Sequence, residues 1–322
     1  MVSLKRKLIF IFSIIFVLST YGLQHSIPKT YAAVNIYVKT TAEIQSAMLN
    51  AQPGHNIMIA PGTYELPNNR YYSNANGTSS NPITITSQDP SKPAVLKGGN
   101  LSTGGYTFYI TGDYWVIKDL KITYGQKGIV LDNSNNTHIN RVTVSYVGQE
   151  GIHVRDGSSN VTIENSIVEH TGATGDPKDM GYGEGIYVGS DRSVWKVNKG
   201  NSGYDRNVDN TIIKNNIIGP NVTAELIDIK EGTSGTLVSN NTFLGSGISG
   251  HNYADTFIDV KGVNVIILDN VGYGGNNPNI KAEFAEVNRT SSNPWVPSNE
   301  TANGSLTNTA DGNYYINNVY IP

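Results

Sequence analysis

Apolar residues in this chain recur mostly with a period of two, in short runs separated by polar turns. Stretches such as Ile83-Thr84-Ile85-Thr86 and Trp115 to Ile122 read as half-buried strands. Five of the runs align on one pattern. They are Gly128–Asp132, Gly151–Arg155, Gly185–Gly189, Leu226–Lys230 and Phe257–Lys261, each with Ile in second place and an aliphatic residue in fourth. Those two positions face a common core, and the third and fifth face outward. A second series of strands is set in register by Asp119, Asn140, Asn165, Asn215, Asn240 and Asp269, spaced by 21, 25, 50, 25 and 29 residues. The spacing of 50 holds one extra first strand and one long insertion, so the repeat is one turn of a solenoid.

One segment breaks the period-two rule. Over residues 41–50, Ile44, Ala47 and Met48 fall on one helical face, with Thr40 or Thr41 as N-cap. A rung at the end of a stack has no neighbour to cover it, and this helix is expected to close the N-terminal end. Asparagines at a repeated turn can bond to those above and below, satisfying turn backbone. The expected fold is all-β, a single-stranded right-handed parallel β-helix with an N-terminal capping helix. A β-sandwich is the alternative, and the fixed repeat argues against it. The expected organisation is a secretory signal peptide over 1–33, a cap and first rungs over 34–82, the β-helix over 83–290, and a C-terminal cap and tail over 291–322. The leader is read from Lys5-Arg6-Lys7, the apolar run Leu8 to Leu18 and the small residues ending at Ala33. A secreted, extracellular monomer that does not hold to a membrane is expected.

Composition narrows the chemistry. The chain has no cysteine, so disulfides and thiolate metal sites are excluded. The net charge is −3. Without residues 1–33 it becomes −7, from 19 basic and 26 acidic residues. A broadly basic nucleic-acid surface is absent. An acidic polymer would have to be held by local cations.

The outward positions supply candidates. The third position runs Val130, His153, Tyr187, Asp228, Asp259, and the fifth runs Asp132, Arg155, Gly189, Lys230, Lys261. Neighbouring rungs lie about 4.8 Å apart, so Asp228 is expected beside Asp259 and Lys230 beside Lys261. Such columns can simply be ion pairs that solubilise a sheet face. They can also hold a hard cation between carboxylates, with a lysine whose pKa a neighbouring cation lowers acting as base. Removal of the proton α to a neutralised uronate carboxylate needs such a pair. Glu150, Glu184 and Glu225 each open a first strand and read as a turn ladder. Two stretches exceed the length of a turn, residues 172–183 and 191–207, and loops on one side of a solenoid form its groove. The second carries Trp195 and Arg206. His251 lies in another candidate groove loop, and Tyr187 and Trp195 suit stacking on sugar rings.

The cap helix followed by Pro61-Gly62-Thr63-Tyr64, the segment Ile83 to Pro90 and the rungs together resemble the pectate-lyase-like superfamily of secreted parallel β-helices, over roughly residues 35–290. That superfamily holds lyases, hydrolases, epimerases and binding proteins. The segment Glu225-Leu226-Ile227-Asp228-Ile229-Lys230 is similar to the Glu-Ile-Ile-x-x-Lys segment of polysaccharide lyase family six, the alginate lyase and chondroitinase B group. The resemblance implies Glu225 as a Ca²⁺ ligand and Lys230 as the Brønsted base, with Asn221 and Asp228 completing the shell. Thr223 stands where that family has a further acid, and His251 is the nearest basic residue to its Arg-His-Gly. The expectation is a Ca²⁺-assisted lyase acting on a uronic-acid polysaccharide. Lys230, His251 and Arg155 are the catalytic candidates, Lys261, His153, Tyr187, Trp195 and Arg206 the substrate-binding ones, and Glu225, Asp228 and Asp259 the metal ligands. The alternatives are a hydrolase or epimerase using Asp228 and Asp259 as paired acids, and a non-catalytic binding solenoid.

Overall fold

Each turn of the chain lays one strand on each of three sheets, so through the middle of the stack strands adjacent in a sheet are three apart in the sequence. The computed structural model describes residues 33–66, 70–103, 105–286, 299–301 and 312–322. The leader and much of the expected tail lie outside the described residues. The first sheet runs from Val34–Val38 to Tyr314–Ile316, and the second from Thr63–Glu65 to Val319–Ile321. The third runs Tyr71–Ser73, Tyr106–Ile110, Lys127–Asp132, Ile152–Arg155, Ile186–Val188, Ile227–Ile229, Thr256–Val260 and Ala282–Glu286. All pairings are parallel among the described residues except that of Ala282–Glu286 with Asn299–Thr301. This is a right-handed parallel β-helix.

Period-two patterning decides the inside. Ile57, Ile85, Ile117, Ile139, Ile163, Ile213, Val238 and Ile267 pair in register through the first sheet, and every one is buried. In the third sheet the Ile and aliphatic positions read from the sequence, Ile129 and Leu131 through Ile258 and Val260, are likewise buried. Each fully buried side chain of this size contributes about 1.5–3 kcal/mol. A single rung cannot collect that energy, because only stacking excludes water from its core face.

The helix spans Thr41–Leu49, with the Thr40 hydroxyl accepting from Glu43 N and with Ile44 and Met48 buried on the first rungs. The turn register differs from the sequence expectation at one residue. The left-handed corner positions are Asp119, Arg141, Asn165, Asn215, Asn240 and Asp269, so Arg141 takes the place expected for Asn140. Asn140 instead ends its strand, paired with Lys118 and Glu164. The expected Asn165 donates its amide to Asn140 Oδ1 at 3.1 Å, and a longer ladder sits one residue past the later corners: Asn216 Nδ2 donates to Asn241 Oδ1, Asn241 to Asn270 and Asn270 to Asn318, at 2.9–3.0 Å. Near the C-terminus, Tyr314–Ile316 and Val319–Ile321 pair as rung strands on Ile266–Leu268 and Val271–Tyr273.

Candidate active site

The outer face of the third sheet carries three columns of side chains. The middle column is fixed by direct pairing: Tyr72, Tyr109, Val130, His153, Tyr187, Asp228 and Asp259. On the C-terminal side, Asp132 pairs with Arg155, and Gly189, Lys230 and Lys261 follow at the equivalent place. On the N-terminal side lie Tyr106, Lys127, Glu150, Glu184 and Glu225. The alternative of a solvated ladder is not what forms. Glu150, His153, Arg155, Glu184, Tyr187, Glu225, Asp228, Lys230 and Asp259 are all buried, because they pack against one another and lie between the two inserted segments.

Asp228 is the hub. Its Oδ2 lies 2.8 Å from Lys230 Nζ and its Oδ1 2.7 Å from Lys261 Nζ. Lys261 also reaches Asp259 at 2.9 Å, and Asp259 accepts from the Thr256 hydroxyl at 3.0 Å. Lys127 pairs with Glu150. Arg155 grips Asp132 with two nitrogens, at 2.6 and 3.1 Å, and donates to the Tyr106 hydroxyl at 2.7 Å. His153 Nε2 donates to the Gly189 carbonyl at 2.9 Å, which leaves its Nδ1 as acceptor facing Lys127.

The charges are far from their solution balance. Burial disfavours the Asp228 carboxylate, but the two ammonium groups more than reverse this and hold it below its usual range. Burial likewise opposes the Lys230 ammonium, and the Asp228 carboxylate outweighs burial and holds it above the usual lysine range. The sequence expectation of a lysine lowered by its neighbour is thus reversed, since Lys230 contacts an acid more closely than a base. Burial, then the charges of Glu150 and Asp228, push Glu184 up from 4.5 to about 8. Burial, with Asp259 and Asp228, raises Glu225 as well. His153 is pushed down by burial and by Lys127 and Arg155, so it stays neutral. Tyr187 is raised by burial, Asp228 and Glu184, so its phenol keeps its proton. No hydrogen bond is made by that hydroxyl among the described residues, while the Lys230 ammonium lies 4.9 Å from the ring centre.

Lys127 and Arg155 balance Glu150 and Asp132. Around the hub this leaves Glu184, Glu225, Asp228 and Asp259 against Lys230 and Lys261, an excess of two negative charges if all are ionised. A buried site does not tolerate that excess. Glu184, Glu225 and Asp228 bring one oxygen each within 4.8 Å of one another, and the buried Glu184 Oε2 has no hydrogen-bond partner. Hard carboxylate oxygens with one unpartnered atom fit a divalent cation such as Ca²⁺. Two protons, on Glu184 and Glu225, balance the same charge.

The insertions flank this floor at opposite strand ends. The segment 172–183 holds the short helix Pro177–Met180, whose Met180 carbonyl accepts from the Thr223 hydroxyl at 2.8 Å. The next carbonyl, Gly181, accepts from Asn252 Nδ2 at 3.1 Å. His251 is exposed on this rim. The segment 191–207 is tied down by Lys196 on Asp156 at 3.4 Å and by Asp205 N donating to Asp156 at 2.7 Å. Its Tyr204 ring stacks 4.4 Å from the Arg155 guanidinium and its Arg206 lies over Trp195. A pocket of about 310 Å³ opens among Trp195, Lys196, Tyr204, Asp205 and Arg206.

The pattern described as "Pel9A-like, right handed beta helix region" matches residues 30–170. Pectate lyase L of Dickeya chrysanthemi is 29% identical over 130 residues, which cover 38% of this chain and 30% of that protein's length. The alginate lyase of Paenibacillus sp. str. FPU-7, a solved structure, is 39% identical, with 89% of this chain and 98% of that one covered and a TM-score of 0.76. The chain belongs to the pectate-lyase-like superfamily. The solved pectate lyase Pel9A shares the superfamily fold at 17% identity and a TM-score of 0.58, over 85% of this chain and 74% of that one.

Within this superfamily scaffold the structure gathers Lys230, Lys261, Asp228, Asp259, Glu225, Tyr187, His153 and Arg155 on one floor. Trp195 and Arg206 stand on one wall and His251 on the opposite rim. Asn221 is turned to His170, 2.9 Å away, outside the acidic cluster. Asp259 also lies outside the carboxylate triad, and Glu184 takes the place expected for it. Glu150 and Glu184 looked like turn residues in the sequence. The signal that marks them is their fixed place two residues before each buried Ile, in line with Glu225.

Proposed function

We propose that the protein is a polysaccharide lyase that cleaves a uronic-acid polymer by β-elimination over Lys230. The observation that carries this reading is the buried Lys230, whose ammonium lies 4.9 Å from the centre of the Tyr187 ring, in a floor flanked by two inserted walls. The 39% identical alginate lyase favours an alginate-type substrate over a pectate-type one. In the reaction, the Lys230 amine removes the proton at C5, the electron pair forms the C4–C5 double bond, and the C4–O bond breaks. The Tyr187 phenol, which holds its proton, gives it to the departing oxygen. Lys261 lies beside them to bind the substrate carboxylate, and Trp195 and Arg206 offer a ring face and a cation on the wall. A Ca²⁺ ion, where bound, would be held by Glu184, Glu225 and Asp228 and would neutralise the substrate carboxylate. An extracellular location suits a polymer substrate and the leader-like N-terminus. Among the described residues no helix is long and apolar enough to cross a membrane.

The test is absorbance near 235 nm with alginate, polygalacturonate and chondroitin, with and without Ca²⁺. Growth of the unsaturated product with one polymer supports the reading, and its absence with all three removes it. Chain cleavage without absorbance near 235 nm would instead favour a hydrolase using Asp228 and Asp259.

Two further results are expected. Gly189 (φ 92°) leaves a gap in its column, and a Cβ there would lie 3.0 Å from Lys230 Cβ and 2.7 Å from Thr233. Gly189→Ala should displace Lys230 and lower kcat about tenfold to a hundredfold with the circular dichroism unchanged. The second concerns Glu184. Its proton binds more tightly in the fold than in the unfolded chain, so its contribution to stability is complete below about pH 4.5 and is lost as the pH rises towards 8. Without divalent cations, Tm should therefore fall across that window, and Glu184→Gln should flatten the fall. Added Ca²⁺ should raise the wild-type Tm at pH 8 and leave that of Glu184→Gln unmoved. An equal rise in both proteins would place the cation elsewhere.

A further inference from the structure

The same sheet face continues beyond the charged floor into a cluster of a different kind. We propose that Arg70, Tyr72, Tyr106 and Tyr109 form a distal subsite that binds the same uronic-acid chain several sugars away from the bond that breaks. This rests on the proposed lyase reading for its substrate class. Tyr72 and Tyr109 stand in the column of His153, Tyr187 and Asp228. Tyr109 is four strands and Tyr72 five strands from the Lys230 rung, about 19–24 Å at the spacing of a sheet. A linked pyranose advances its chain by about one strand spacing, so a polymer lying along the solenoid axis meets the cluster about four to five sugars from Lys230.

The rings are built as a platform. Their inward neighbours Tyr71 and Phe108 are fully buried, whereas Tyr72, Tyr106 and Tyr109 are half-buried and face outward. Tyr72 and Tyr109 stack at 5.4 Å with planes 26° apart, and Tyr106 meets Tyr109 edge-on at 5.3 Å. The exposed Arg70 places its guanidinium 4.5 Å from the Tyr109 centroid and within 6 Å of the other two. Sheet propensity alone explains an outward tyrosine, but not a cluster of three with two of them fixed by polar groups. The Tyr109 hydroxyl donates to Asp132 at 2.9 Å and the Tyr106 hydroxyl accepts from Arg155, so the pair that anchors the charged floor also sets two rings of the platform. Rings held rigid lose little entropy when a sugar stacks on them. The guanidinium beside them matches a uronate carboxylate, which an overall acidic protein must recruit locally.

The experiment compares wild type with Arg70→Ala/Tyr72→Ala on size-defined alginate trimers and octamers, following absorbance near 235 nm. The ratio of kcat/KM for octamer over trimer should fall about tenfold in the variant. Arg70→Glu, which leaves the rings in place, should lower the ratio in the same direction. Retardation of the two proteins in alginate-containing native gels is read in parallel. An unchanged ratio in an active variant overturns the subsite while the lyase reading stands. If no polymer is cleaved, the lyase reading fails, and the gels decide the subsite: lost retardation supports it and equal retardation overturns it.

Discussion

Lys230→Met should lower kcat for elimination by about three to four orders of magnitude, with KM changed far less. A positioned general base contributes about 10²–10⁴-fold, and methionine keeps the length and apolar stem of lysine without the amine. In the wild type, the close Asp228 carboxylate holds the Lys230 ammonium above the usual lysine range. Only the small unprotonated fraction is active at neutral pH. The logarithm of kcat/KM should therefore rise by about one per pH unit from neutral into the alkaline range. A variant that retains its unsaturated product and this slope would remove Lys230 as the base and leave Tyr187 as the next candidate. Circular dichroism and Tm separate loss of chemistry from loss of fold.

Asp228→Asn should produce the largest loss of stability among the site variants. The carboxylate sits between two buried ammonium groups at 2.8 and 2.7 Å. Removing one partner of a buried ion pair leaves uncompensated charge and costs about 3–5 kcal/mol. Denaturant unfolding reads this directly, as a lower midpoint at an unchanged slope. Lys261 keeps Asp259, whereas Lys230 loses its closest acid. The Lys230 ammonium is then destabilised, and the alkaline limb of the pH–rate profile should move to lower pH. An unmoved limb would mean that a group other than Lys230 governs it. A variant as stable as wild type would mean that water or other groups already shield the two lysines.

The opposite directions expected for Lys230 show how far register alone reaches. Period-two spacing places Asp228, Asp259, Lys230 and Lys261 on one face and on adjacent rungs, and the structure agrees. Spacing does not say which neighbour a flexible side chain chooses. Lys230 and Lys261 lie on adjacent strands, yet both turn to Asp228, because an ammonium gains more from a carboxylate than it loses beside another ammonium. Burial was equally hidden. A column of charges reads as a solvated ladder unless something covers it, and here the insertions 172–183 and 191–207 flank it. Arg155 is another instance. The sequence offers a free cation, and the fold clamps it between Asp132, Tyr106 and Tyr204. Of the asparagines expected to bond across rungs, Asn165 and Asn140 do so, and a longer ladder falls one residue after the later corners for a local reason: the corner residue takes the left-handed conformation, and the next one turns its amide inward.

By itself the sequence determined the solenoid, its capping helix, which residues fill the core and which columns face outward. Those follow from a period of two and a fixed repeat, which are properties of local backbone geometry. Only the tertiary structure decided that the charged face is buried, that Glu184 stands with Glu225 and Asp228, and that the Lys230 ammonium lies over the Tyr187 ring. Those depend on dielectric and on side-chain choice between rungs tens of residues apart, and neither is written in the spacing of any one strand.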